Sequence, residues 1–161
     1  LYLLLQNLVA PMPDSQEIIE SLLRQHTAVT FQAFGPSMNP TICDGESLRV
    51  KPVRSGTLPR GSVVLYRFCG RLAVHRLIRN DGATGRCFLT ADAALKGGDW
   101  VPAVDILGRA ESVRRGAREC RLDPLPARLA GLLRYALRPL RRALWNYRQT
   151  HHAQTPDRWY K

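Results

Sequence analysis

Between Thr27 and Val113 the chain meets glycine or proline every few residues, and the runs between these breaks carry the two-residue period of β-strands. Val29, Phe31 and Ala33 alternate with Thr30, Gln32 and Phe34 until Gly35-Pro36 stops them. Further strand-like runs cover residues 48–53, 62–68, 71–79, 86–90 and 106–113. Ser55-Gly56, Pro59-Arg60-Gly61, Gly70 and Asn80-Asp81-Gly82 separate them as turns. Many short strands at such close spacing predict a mainly β fold, a compact β-sandwich or partly closed barrel, and exclude a parallel α/β sheet. A length of 161 residues suits one domain of ordinary size. Four cysteines (Cys43, Cys69, Cys87, Cys120) stand far apart with no C-x-x-C pair. They match neither the usual zinc spacings nor a disulfide-dense scaffold, so no metal and no cofactor is expected.

The two ends are helical in pattern. Pro13-Asp14-Ser15-Gln16-Glu17 reads as a helix start, with Asp14 as the cap and Glu17 answering it three residues on. Ile18, Ile19, Leu22 and Leu23 then share one face as far as Gln25. From Pro124 to Tyr147, Leu125, Leu129, Leu132, Leu133, Leu137, Leu140 and Leu144 fall on one side of a helix that Pro139 should kink or split. Arg128, Arg134, Arg138, Arg141 and Arg142 take the other side, and no acidic residue occurs between Pro124 and Pro156. The net charge of +11 is lopsided, with 13 Lys/Arg against 4 Asp/Glu from residue 109 onward. A basic amphipathic helix of this kind is expected to lie on an anionic membrane surface through those five arginines, with Trp145 and Tyr147 near the headgroups. The alternative is a helix whose leucines pack on the β domain. Nucleic acid is not the expected partner.

Chemistry is concentrated in Gly35-Pro36-Ser37-Met38-Asn39-Pro40. A serine on a constrained turn after a strand can expose its hydroxyl beside backbone N–H groups, as an acyl-transfer nucleophile requires. A serine in such a turn is by itself usually only a turn residue, and it needs a base. His75, within the apolar run Val74-His75-Arg76-Leu77, is the candidate. These blocks, with Gly61-Ser62-Val63-Val64-Leu65-Tyr66, Thr90-Ala91-Asp92-Ala93 and Ile106-Leu107-Gly108-Arg109, resemble in order the type I signal peptidase family and the wider clan it shares with self-cleaving repressors.

The resemblance implies a compact signal-peptidase-like β domain at residues 27–122. It is preceded by an N-terminal segment and short helix (1–26) and followed by the basic helix (123–148) and a polar tail (149–161). It further implies Ser37 as nucleophile and His75 as general base, on the Ser–His branch of the family rather than the Ser–Lys one. Asp92 would orient the imidazole, with Asp99 and Asp105 as alternatives. Phe34, Gly35 and Met38 would contact an extended peptide cut after small residues. Three positions depart from the family pattern: Ser62 where Asp is common, Ala91 where Gly is common, and Gly35 where some members place a helper Ser. The expected activity is that of a serine endopeptidase. A self-processing regulator, or a non-catalytic module binding membrane or nucleic acid, is the alternative. Localisation is expected at a membrane, peripherally or through an anchor upstream of Leu1. Cys69-Gly70 is read as a hairpin turn, and His151-His152 as tail composition rather than a metal site.

Overall fold

Val63, Val64, Leu65 and Tyr66 are consecutive and all at most 1% exposed, which a strand achieves only when apolar layers cover both of its faces. In the computed structural model, which describes residues 15–53 and 58–152, this strand lies in the middle of one eight-stranded sheet. The strands are β1 (Val29–Gln32), β2 (Ser47–Pro52), β3 (Val63–Phe68), β4 (Arg71–Asp81), β5 (Arg86–Thr90), β6 (Asp99–Pro102), β7 (Ile106–Arg115) and β8 (Arg118–Arg121). Their order is β1-β2-β7-β3-β4-β5-β6, with β8 added to β7, and every pairing is antiparallel. The sheet curls into a half-barrel, so of the two expected β architectures the protein adopts the partly closed barrel.

Alternation along β3 divides the core in two. Val63 and Leu65 join Leu48, Val50 and Val113 in one cluster, while Val64 and Tyr66 join Leu77, Leu89 and Val101 in another. Cys69 and Gly70 both have positive φ (48° and 74°) and form the two-residue hairpin between β3 and β4, as expected. The first helix, α1 (Ser15–Arg24), buries Leu23 and packs Ile19 and Leu22 against the first cluster. Its expected Asp14 cap lies outside the described residues, as do the Leu1–Leu5 run, the Ser55-Gly56 turn and residues 153–161.

Three features differ from expectation. β6 and β8 had no legible strand period, because β6 is a four-residue strand behind Gly97-Gly98 and β8 is fully exposed and charged. The single C-terminal helix is two, α2 (Leu125–Ala136) and α3 (Arg138–His152). The break falls at Leu137, two residues before Pro139, whose ring nitrogen has no hydrogen to donate. Thirdly, α3 continues past residue 148, so the start of the expected tail, including His151 and His152, is helical.

Candidate active site

β1 ends at Gln32, but its ladder is prolonged by Ala33 N–H donating to Glu46 O (2.9 Å) and Gly45 N–H donating to Ala33 O (2.8 Å). The chain then turns through Gly35 at φ +96°, a conformation that a side chain would strain. The Gly35 N–H is held by Asp44 Oδ1 at 2.7 Å. Ser37 follows on the exposed shoulder of this turn, and its carbonyl accepts a bond from Ala93 N–H (3.0 Å). Met38, the next residue, is 3% exposed and roots the turn in the core.

Ser37 and His75 line the same cleft, about 570 Å³ in volume. One wall is the segment from Phe31 to Gly35, and the other is the first half of β4, from Leu72 to His75. Both walls are backbone edges. Among the described residues β1 pairs only with β2, and β4 pairs with β5 only from Arg76 onward. The predicted contact residues Phe34, Gly35 and Met38 all line the cleft, and the Phe34 ring is 77% exposed. None of the lining residues carries a charge at neutral pH. α1 forms part of the cleft through Ser15, Gln16 and Ile19, with Gln16 Oε1 accepting the Leu72 N–H at 2.8 Å. Nothing in the sequence assigned α1 to the site.

His75 Nδ1 lies 2.8 Å from the Tyr66 hydroxyl. Tyr66 is fully buried, and burial, with the Asp99 carboxylate adding to it, pushes its phenol up to about 12, so the group stays protonated. Burial also holds His75 below the ordinary imidazole value of 6.5, against the smaller opposing pull of Asp99 and Asp92. No hydrogen bond joins Ser37 Oγ to His75 among the described residues. A contact of this kind often tightens only around substrate.

Asp92, expected to orient His75, is engaged elsewhere. Its carboxylate takes both arms of the Arg76 guanidinium, Nε at 2.7 Å and Nη2 at 2.6 Å, and also accepts the Thr41 hydroxyl. Arg76 and Asp92 are 2% and 4% exposed, so each charge depends on the other for its compensation. The physical reason is geometric: a planar guanidinium fork matches a carboxylate bidentately, whereas an imidazole offers one N–H. Of the two alternatives, Asp99 is near enough to act on both Tyr66 and His75 electrostatically, while Asp105 acts on Arg67 instead.

The C-terminal helices close around this ion pair. Gly131 of α2 packs flat on the Arg76 guanidinium, where an added Cβ would meet Cζ at 2.1 Å. Arg134 donates to Thr41 Oγ1 (2.8 Å), Arg138 to Gly97 O (2.9 Å) and the Thr90 hydroxyl, and Arg141 to Asp92 O (3.2 Å). Four of the five arginines expected on a membrane are therefore seated, wholly or partly, against the β domain: Arg128 over Gly61, and Arg134, Arg138 and Arg141 around residues 90–97 and Thr41. Arg142 is exposed.

Comparison with known families decides what this arrangement belongs to. The Peptidase S24-like family matches residues 7–109, well over half of the chain. The chain belongs to the Peptidase S24-like family. No curated protein matches it. Membership assigns this S24-like chain the fold of a serine peptidase or self-cleaving repressor. The matched span takes in α1, the Ser37 turn, His75 and Asp92, and stops before α2 and α3.

Proposed function

We propose that the protein is a serine endopeptidase acting in trans on an extended peptide, with Ser37 as nucleophile and His75 as general base. The observation that supports this reading is that Ser37 and His75 share one cleft with an uncharged lining, bounded by strand edges that pair with no further strand among the described residues. An extended substrate adds as a strand along residues 31–35, its side chains falling alternately into the cleft and out of it. An uncharged lining favours neutral side chains beside the scissile bond, and the resemblance to signal peptidases adds a preference for small ones.

In the reaction Ser37 Oγ attacks the scissile carbonyl while His75 Nε2 takes its proton, leaving a tetrahedral oxyanion. Backbone N–H groups of the turn, Ser37 and Met38 first among them, stabilise that charge; neither donates elsewhere among the described residues. His75 then returns the proton to the leaving amine, and water releases the acyl group by the same route. Throughout, the Tyr66 hydroxyl holds the far side of the ring.

The test is acylation by a serine-directed inhibitor followed by peptide mapping. The modification is expected on Ser37 and absent in Ser37→Ala. Labelling spread over other serines, or a Ser37→Ala variant that still cleaves small-residue peptides, would remove the assignment. Products cut only within the protein itself would favour the self-processing regulator instead.

A further inference from the structure

An ordinary surface helix buries its apolar stripe and shows its charges to water. α2 and the first turn of α3 do the reverse. Arg134, Arg138 and Arg141 are turned onto the β domain, and Leu125, Leu129, Leu133, Leu140, Leu144 and Trp145 are each more than half exposed. The outward stripe continues across the Leu137 break and follows both helices, 12 and 15 residues long. An apolar surface of this continuity marks a place where something other than water is bound.

Two observations identify the occupant. The helices carry no acidic residue, the chain from residue 109 onward holds 13 Lys/Arg against 4 Asp/Glu, and Arg142 and Arg148 are exposed. Two copies brought together along such cationic helices would repel, whereas an anionic surface would attract them. Trp145 and Tyr147 are exposed near the end of the stripe, and rings with an apolar body and a polar tip settle at headgroup depth. Neither helix is long and apolar enough to cross a membrane, so the geometry that remains is a pair lying in the surface plane.

We propose that the outward apolar stripe of α2 and α3 beds into the interfacial layer of an anionic bilayer, with the exposed arginines among the headgroup phosphates. The leucines rather than Arg134, Arg138 and Arg141 make the contact, because those arginines are already used in fixing the helices to the β domain. This docking does not depend on catalysis, and its readout is binding.

The experiment is co-sedimentation of the full chain with phosphatidylcholine vesicles, with and without phosphatidylglycerol. Wild type is expected to sediment with the anionic vesicles, less so as salt rises, and to remain monomeric in their absence. Leu133→Gln, Leu140→Gln and Leu144→Gln together preserve the charge and should abolish sedimentation with an unchanged thermal melt. Arg142→Gln with Arg148→Gln should weaken it about fivefold per arginine. Equal sedimentation with neutral vesicles, or retention by the triple leucine variant, overturns the proposal. So does a dimer, seen by analytical ultracentrifugation, that the same triple variant dissolves.

Discussion

The hydroxyl of Tyr66 lies 2.8 Å from Nδ1 of His75, on the side of the ring opposite the nitrogen needed for proton transfer. For Nε2 to accept a proton, Nδ1 must carry the hydrogen and donate it to the tyrosine oxygen. A neutral phenol thus occupies the position where a carboxylate was expected. It holds the ring in place without adding a negative charge that would keep His75 protonated.

Tyr66→Phe removes that acceptor and little else, since the ring stays in the core. A drop of about tenfold in kcat with KM unchanged is expected, the worth of one hydrogen bond of ~1.4 kcal/mol. The imidazolium loses a partner, so the midpoint of the pH–rate profile should move further down. A midpoint that moves upward would show that the phenol donates to Nδ1 instead.

The pH dependence of the unaltered protein follows from burial. Only neutral His75 can take the Ser37 proton, so kcat/KM should rise with pH and level off. Because burial depresses His75, the midpoint should lie below 6.5, not above it as pairing with Asp92 would require. The same depression makes His75 contribute stability that is present above pH 6.5 and lost as pH falls from there through its folded value. A profile centred above 7 would contradict this environment.

Ser37→Ala should abolish cleavage with little effect on stability. The side chain is exposed and makes no hydrogen bond among the described residues, so the change is expected to stay within ~0.5 kcal/mol. Denaturant melts of the two proteins should superimpose.

Asp92→Asn should behave in the opposite way. Removing the charge strands Arg76 in a site where it is 2% exposed, at a cost of about 3–5 kcal/mol. The variant should lose activity through unfolding, and what survives at low temperature should keep the wild-type pH midpoint to within the small field of Asp92. A normal melt with a strongly shifted pH profile would return Asp92 to the role of imidazole partner.

Gly131→Ala places a methyl group 2.1 Å from the Arg76 guanidinium carbon. Alanine is ordinarily the better helix former, by roughly 1 kcal/mol over glycine. Here the substitution should destabilise, because the buried ion pair must shift to admit it. Circular dichroism melts would detect the loss.

The strands were legible because each apolar run keeps its period between Gly or Pro breaks, and Ser37 and His75 stood out by residue type and context. The Tyr66–His75 contact was recoverable in principle. A two-residue hairpin at Cys69-Gly70 sets Val64 opposite His75, and therefore Tyr66 diagonal to it. The partnership of Asp92 was not legible: Arg76 pairs with Thr90, two residues before Asp92, and that register depends on an irregularity between Leu77 and Arg79 that no sequence pattern marks. Helical period revealed two faces on residues 124–147 but not which of them would turn inward. That choice rests on the Asp92 charge waiting beneath α2, which draws Arg134 to within 3.6 Å.

The seat of α2 on Arg76 also bears on where this protein can be cut. The family match ends at residue 109, inside β7, and the β fold ends with β8 at Arg121. A chain trimmed at either point would keep Ser37 and His75 yet lose Gly131, Arg134 and Arg138. Water would then reach the guanidinium–carboxylate pair beneath the catalytic turn, and the segment that donates Ala93 N–H to Ser37 would lose its outer braces. The unit that braces its nucleophile therefore reaches at least Arg141, in the first turn of α3, well beyond the residues that the family match covers.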